Sequence, residues 1–402
     1  MNVKREQYLE KLRQLRDKKI IKVITGIRRS GKSTLLKQFK EELIASGVSE
    51  ARVQQYNYED LEVKRGYKEI YEEIKNKLSS KGMNYIFLDE IQNIDNFERI
   101  VDSLFVQDNV DLYITGSNAF LLSSELATYL SGRYMEINIL PFSFREYLEC
   151  FDNNASKQEL FSQYIVNGGM PQSVEMFDTD YALGLDYLRG VYSTVVLKDI
   201  MTRNDTDDAN AFSNILKFLF DNVGNLVSPN KIANYLKANH KSIDPRKVER
   251  LIDATCKSYI LYPANRFSIK GKELLRTQQK YYMVDTGFRR MLLGIGDERD
   301  YGHLLENVVF LELKRRGYEI FVGQTKNGKE VDFVAKNRRG EVEYYQVSDT
   351  IKNDDTRERE LGALISIDDN RPKYILSNDL NELDFEGVKH FNVIEWLLGD
   401  KR

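Results

Sequence analysis

Cysteine is nearly absent: Cys150 and Cys256 are the only two in 402 residues. They stand far apart and no CxxC occurs, which leaves no disulfide framework and no cysteine zinc site, and predicts two buried thiols. Long apolar runs are missing as well. No stretch reaches the roughly 18 residues needed to cross a bilayer, and the opening Met1-Asn2-Val3-Lys4-Arg5-Glu6 lacks the apolar core of a secretory signal. The expectation is a cytoplasmic protein with no membrane segment. Neither sign of charge dominates: 59 Lys and Arg stand against 62 Asp and Glu, a formal net charge of -3. There is thus no chain-wide basic field, and any nucleic-acid contact must use a local patch. Proline numbers six, too few to mark linkers, and no internal repeat or low-complexity tract is visible.

What is present is an ordinary globular composition, 42% hydrophobic and 30% charged, which predicts packed structure nearly end to end. The length argues for about two to four domains. Tyr8, Leu9, Leu12 and Leu15 have helical spacing, and Ile20-Ile21-Lys22-Val23-Ile24-Thr25 is a short β-branched run. A Gly-rich turn follows, and then Leu35, Leu36, Phe39 and Leu43 recur with helical period. Further strand-like runs lie at 53–58, 85–88, 112–115 and 135–139, separated by helical segments such as 97–106. Alternation of this kind predicts a parallel sheet covered on both faces by helices, so residues 1–140 read as one α/β domain.

Beyond Pro141 the strand signals fade, and 141–205 reads as a helical lid interrupted at Gly168-Gly169-Met170-Pro171. Ser228-Pro229 and Asp244-Pro245 each read as an N-cap followed by a first-turn proline. With the strand-like 259–262 after the second of these helices, they outline a winged helix-turn-helix over 206–268. The remainder, 269–402, reads as helix 304–315, strands 318–322, 331–335 and 342–347, helix 357–365 and strand 374–377, a compact α/β domain.

Gly26-Ile27-Arg28-Arg29-Ser30-Gly31-Lys32-Ser33 matches GxxxxGK[ST] completely, and it lies between an expected strand and an expected helix. Gly26 and Gly31 permit backbone angles that turn successive N–H groups around phosphates, and the helix from Lys32 through Thr34 adds its positive N-terminal dipole. Lys32 is placed for the β- and γ-phosphates of a nucleotide. The Ser33 hydroxyl is a ligand for Mg2+, a cation that prefers oxygen. Downstream, Tyr85-Ile86-Phe87-Leu88-Asp89-Glu90 is an apolar strand tipped by two acids. Asp89 is expected to hold magnesium through water, and Glu90 to orient or deprotonate the attacking water. Alone, such a tip marks many strand ends; after a complete P-loop it points to ATP hydrolysis. The next apolar run ends in Gly116-Ser117-Asn118, where Ser117, with Asn118 in reserve, is the candidate to touch the γ-phosphate or its water; helix capping is the alternative. Arg133 is a candidate finger toward a neighbouring subunit's nucleotide, a device worth about 10³ to 10⁵ in rate, or else a solvated arginine. No NKxD follows the acid-tipped strand, which disfavours a GTPase, and the extra modules disfavour a small-molecule kinase.

These motifs, with Leu88-Asp89-Glu90-Ile91-Gln92, Ile114-Thr115-Gly116-Ser117, Ser131-Gly132-Arg133 and Pro141-Phe142-Ser143-Phe144-Arg145-Glu146, carry a resemblance over nearly the whole chain. Gly168-Gly169-Met170-Pro171, Lys198-Asp199-Ile200, Val284-Asp285-Thr286-Gly287 and Glu330-Val331-Asp332-Phe333 extend it. The chain resembles the bacterial and archaeal AAA-type ATPases of the MNS clade, whose C-terminal region is catalogued as domain of unknown function 4143. The resemblance implies an α/β multidomain fold: an AAA-like P-loop parallel sheet with strand order 5-1-4-3-2, a helical lid, a winged helix-turn-helix and a C-terminal restriction-endonuclease-like domain. It implies ATP as ligand, a homo-oligomer, possible rings among them, and a lid turn near the adenine, here Gly169 and Pro171; a plain helix start with proline at its first position is the alternative.

In active nuclease relatives, acids on the helix and second strand hold magnesium and an (E/Q)xK on the third supplies a lysine. Glu306, Asp332 and Gln346 occupy the acidic and amide positions, but Ser348 stands where lysine belongs. The expectation is a degenerate nuclease site, with Lys336 or Lys352 as substitutes, or Glu306 and Asp332 as ordinary exposed acids on a binding domain. On the winged helix, Arg246, Lys247 and Arg250 form a candidate DNA face that Glu249 dilutes; a protein partner is the other reading. The function expected is a switch or motor hydrolysing ATP and coupled to DNA or protein. An ATP-holding regulator with little turnover and an active ATP-dependent nuclease are the alternatives.

Overall fold

The computed structural model describes residues 3–59, 66–119, 132–151, 155–195, 200–201, 209–239, 243–294, 301–380, 384–385 and 387–399. The chain divides into two compact units, one of residues 2–140 with 257–259, the other of residues 141–256 with 260–402.

The first unit runs α1 (Glu6–Leu15), β1 (Ile21–Thr25), α2 (Lys32–Ala45), β2 (Val53–Asn57), α3 (Tyr67–Asn76), β3 (Asn84–Asp89), α4 (Phe97–Phe105), β4 (Val110–Gly116) and β5 (Tyr134–Asn138). The sheet order is β2-β3-β4-β1-β5 and every pairing is parallel. Parallel neighbours need long crossovers, and the crossover helices cover the sheet. That is why β1, β3 and β4 are buried at every residue and read as unbroken apolar runs. Ile21, Val23, Ile86, Leu88 and Leu112 pack against α3 and α4 in one apolar cluster; Ile24, Phe87 and Tyr113 pack against α1 and α2 in another. The pairing register sets Thr25 beside Gly116 and Leu88 beside Ile114, so the carboxyl ends of β1, β3 and β4 converge. Ligands of open α/β sheets sit beyond such ends.

The second unit begins with helices α5 (Phe144–Leu148), α6 (Lys157–Asn167), α7 (Pro171–Thr179) and α8 (Tyr181–Thr194). Ser143 and Glu146 close a reciprocal capping box on α5. Next come α9 (Ala209–Asp221), α10 (Pro229–Ala238) and α11 (Pro245–Lys257). The expected caps are formed: Ser228 accepts from the Lys231 N–H and Asp244 from the Arg246 N–H. A hairpin of β6 (Leu261–Ser268) and β7 (Glu273–Met283) leads to α12 (Gly287–Leu293) and α13 (Tyr301–Arg315). Then follow β8 (Glu319–Gln324), β9 (Glu330–Lys336), β10 (Val342–Val347), α14 (Asp354–Ile365), β11 (Lys373–Ser377), β12 (Asp384–Phe385), β13 (Val388–Asn392) and α15 (Val393–Leu398).

One mixed sheet of order β12-β13-β11-β10-β9-β8-β6-β7 spans this region. Here the structure differs from the sequence-based boundary at 268/269. That boundary falls in the turn of the β6–β7 hairpin, and β6 also pairs with β8, so the strand after α11 is part of the C-terminal sheet. The expectation of two buried thiols is corrected as well. Cys150 and Cys256 are free and only half-buried; burial still pushes each thiol up to about 12. Among the described residues no helix is long and apolar enough to cross a membrane.

Candidate nucleotide-binding site

Beyond β1 the chain enters the left-handed region at Gly26 (φ 139), Arg29 (φ 67) and Gly31 (φ 97), and α2 starts at Lys32. A Cβ at Gly26 would stand 2.3 Å from the Ile139 carbonyl oxygen, so this position excludes any side chain. The loop is braced from the N-terminus. Arg5, 2% exposed, donates to the Ser30 carbonyl at 3.0 Å and the Leu140 carbonyl at 2.8 Å, and its guanidinium lies over the Tyr8 ring. No local pattern marks Arg5 in the sequence.

The Lys32 ammonium is buried in the loop, donating to the Gly26 and Ile27 carbonyls at 3.1 and 3.2 Å, with Glu90 Oε1 at 3.4 Å. Asp89, at the tip of β3, accepts hydrogen bonds from Ser33 and Thr115. Thr115 in turn accepts from the Glu90 N–H at 2.9 Å. Burial raises the Asp89 carboxyl above its ordinary value, against the pull of the two hydroxyls. Glu90 goes the other way. Burial alone would raise it, but the Lys32 ammonium and then the Gln92 amide leave it below the usual carboxylate value. Ser117 is buried next to Glu90 and within 3.5 Å of the Gln92 amide nitrogen.

Lys32, Ser33, Asp89, Glu90 and Ser117 therefore converge as the motifs require. Arg28 turns to Glu59, at 2.8 Å, while Arg29 and Thr34 are exposed. Three buried polar groups beside this constellation have no hydrogen-bond partner among the described residues: the Ser30 hydroxyl, the Gln92 carbonyl and the whole Asn118 amide. Unmet donors and acceptors around a buried ammonium and an oxygen pair fit a phosphate chain with a hard cation. Thr115 and Gln92 hold the acids in place, roles that consecutive motifs do not reveal.

Three further candidates have contacts of their own. Arg133 is half-exposed and bound to Asp102 at 2.8 Å, over the Phe105 ring. Gly169 and Pro171 belong to the second unit, where Asp285 organises their turn. The Gly169 N–H donates to Asp285 Oδ2 at 2.7 Å and the Gly287 N–H to Oδ1 at 2.9 Å; a Cβ on Gly168 would fall 1.9 Å from that carboxylate. Pro171 is the first residue of α7.

In the second unit Glu306 and Asp332 are buried, which removes the reading of them as exposed surface acids. Lys336 and Lys352 do not serve them: Lys336 is exposed at the end of β9, and Lys352 faces Asp379 at 3.6 Å. The cation is Lys280 of β7, whose ammonium lies 2.9 Å from Glu306, 2.7 Å from Glu330 and 3.9 Å from Asp332. Gln346 accepts from the Asp332 N–H and donates to Glu360. Tyr282 donates to Glu306 at 2.6 Å. Among the described residues no group of three or more acids, histidines or cysteines is arranged to hold a metal ion.

Comparison with known proteins finds relatives of this chain. The AAA domain family matches residues 18–148, and a domain of unknown function, DUF8612, matches 158–299. An uncharacterized protein of Haemophilus influenzae is 38% identical over 403 residues, covering 98% of both chains. An uncharacterized protein of Methanocaldococcus jannaschii is 30% identical over 386 residues, 89% of this chain and 82% of that one. Among solved structures, a Walker-type ATPase of Pyrococcus abyssi aligns at a TM-score of 0.50 and 16% identity, over 72% of this chain and 95% of its own, a likeness of fold. The chain carries an AAA domain over residues 18–148 and belongs to the same family as the Haemophilus and Methanocaldococcus proteins.

Proposed function

We propose that the P-loop unit binds ATP with Mg2+ and hydrolyses it, as a switch or motor that passes its nucleotide state to DNA or a protein partner through the second unit. The observation that carries the reading is the contact between Lys32 and Glu90. The ammonium is held by two carbonyls and one carboxylate at 3.4 Å, partners that a triphosphate outcompetes. When ATP takes Lys32, Glu90 Oε1 is released to accept the proton of the attacking water. Ser33 and Asp89 would hold magnesium, which supplies neutralisation of charge on the β- and γ-phosphate oxygens. Ser117 and Asn118 lie at the γ-phosphate end, and Arg133 serves a neighbouring subunit in a homo-oligomer. Gly169 and Pro171 serve as the adenine-side turn.

The finer placement in the MNS clade, with a C-terminal domain like domain of unknown function 4143, is part of the same proposal and rests on the shared motifs. The winged helix-turn-helix over 206–268, whose Arg246, Lys247 and Arg250 form the DNA-facing side, and a cytoplasmic location belong to the proposal as well. Ser348 in place of a lysine, and Lys280 engaged with the acids, speak against an active nuclease.

ATPase rates with and without single- or double-stranded DNA, for the native chain, Lys32→Ala and Glu90→Gln, test this. Lys32→Ala is expected to abolish nucleotide binding. Glu90→Gln is expected to retain binding and lose turnover by about a hundredfold or more. DNA stimulation supports the motor; indifference to DNA favours a protein partner. No affinity for ATP in magnesium buffer refutes the reading.

A further inference from the structure

The catalytic acid proposed above sits at an abrupt turn. Glu90 adopts φ 51 immediately after β3, and a single 3-10 turn, Ile91–Asn93, follows. Left-handed backbone at a residue with a Cβ costs on the order of 1 kcal/mol and persists where surroundings impose it. Its consequence here is that Gln92 folds back onto Glu90. The Gln92 amide nitrogen donates to Glu90 Oε2 and stands 3.5 Å from the Ser117 hydroxyl, at the edge of hydrogen-bond range. Facing a carboxylate, an amide presents its N–H₂ end, and the Gln92 carbonyl oxygen is buried with no partner among the described residues. Glu90 Oε1 faces Lys32 at 3.4 Å.

Each oxygen of the carboxylate thus has its own partner, and the two respond differently to a triphosphate. The charged Lys32 is drawn to phosphate oxygens, whereas the neutral Gln92 amide has no such competitor. After nucleotide entry the amide, with the Ser117 hydroxyl beside it, keeps Glu90 in one rotamer, so that the freed oxygen points in a fixed direction. We propose that Gln92 is a positioning residue for ATP hydrolysis, linking Glu90 to Ser117 while Lys32 is engaged with substrate. The inference rests on Glu90 being the group that accepts the water's proton.

The test is a double-mutant cycle on the full chain. Single-turnover hydrolysis and binding of a fluorescent ATP analogue are measured for the native protein, Gln92→Ala, Glu90→Gln and the double variant. Gln92→Ala is expected to lower the hydrolysis rate by about tenfold to a hundredfold with KM and Kd changed by less than about threefold. In the Glu90→Gln background the same substitution is expected to change the rate by less than about twofold, because the group it positions is gone. A merely structural glutamine would weaken binding alongside turnover and add its loss in both backgrounds; that result overturns the proposal. If Glu90→Gln itself hydrolyses ATP at the native rate, the reading of Glu90 falls and takes the inference with it. If Glu90→Gln is slow and Gln92→Ala is native-like, the inference alone falls. Should Gln92→Ala melt early, Gln92→Met, of matching length but without a donor, repeats the cycle.

Discussion

Replacing Lys280 with Met isolates what a buried cation does in the second unit. Methionine matches the lysine stem in length, so packing is nearly conserved and the change is chiefly the loss of charge. Burial would push the ammonium down, but Glu306, Asp332 and Glu330 overcome it and hold it above the usual lysine value. Glu306 is correspondingly lowered, with Lys280 the leading opposition to burial. Without the ammonium, Glu306 keeps the Tyr282 hydroxyl at 2.6 Å and faces His303 Nδ1 only at 3.9 Å. Removing one partner of a buried pair costs about 3–5 kcal/mol, because the other is left uncompensated. Glu330, whose side chain is 41% exposed, is taken up by water and adds little. The double variant Lys280→Met with Glu306→Gln removes both charges and is expected to recover most of the loss. The chain's single tryptophan, Trp396, is buried against the Tyr345 ring of β10 at 5.8 Å, so its fluorescence during urea unfolding follows this same sheet. A loss under about 1 kcal/mol in the single variant, or a double variant no more stable than the single, refutes the reasoning.

Two further substitutions probe other positions. Gly26→Ala forces a Cβ to within 2.3 Å of the Ile139 carbonyl at φ 139, so ATP affinity measured by fluorescent-analogue titration is expected to fall at least about tenfold; an unchanged Kd removes the steric account. Asp285→Asn addresses pH. Burial raises this carboxyl from 3.8 to about 7 against the N–H groups of Gly169, Gly287 and Met170. Between those values the folded state binds the proton more tightly than the unfolded chain, so stability falls as pH rises from about 4 to about 7, by up to roughly 4 kcal/mol. The Asn variant is expected to flatten that part of the melting-temperature profile; an unchanged slope shows that another group titrates there.

The first unit was legible because its physics is local or repeats along the chain. Strands β1, β3 and β4 are covered on both faces, so 85–88 and 112–115 stand out as continuous apolar runs. The phosphate loop is eight consecutive residues, and the caps at Ser228 and Asp244 depend on groups within three positions. Strand β7 was not legible. Its stretch Gln278-Gln279-Lys280 breaks any alternation, and its place beside β6 is fixed by hydrogen bonds rather than by an apolar pattern. Strand β13 and its capping Asn392 were missed for a related reason: Val388, His390 and Asn392 all turn inward, but two of the three are polar. Arg5, Thr115 and Lys280 act on residues distant in sequence, and no spacing rule reaches them.

Two of the buried lysines show how similar inventories of charge serve opposite ends. Lys32 and Lys280 each lie among acids in an interior from which water is largely excluded. Lys280 has two carboxylates within 3 Å and a third at 3.9 Å; drawing it to any ligand would leave those charges without their cation. Lys32 has a single carboxylate at 3.4 Å and two backbone carbonyls, neutral acceptors that lose little when it moves. Glu90 keeps a second donor in Gln92 when its lysine leaves, as Glu306 keeps Tyr282, and Asp89 keeps Ser33 and Thr115. A site that hands its cation to a substrate must leave its acids hydrogen-bonded. Both sites meet that condition, and what separates them is the charge left behind: one carboxylate faces Lys32, whereas Glu306, Glu330 and Asp332 would be left facing one another without Lys280.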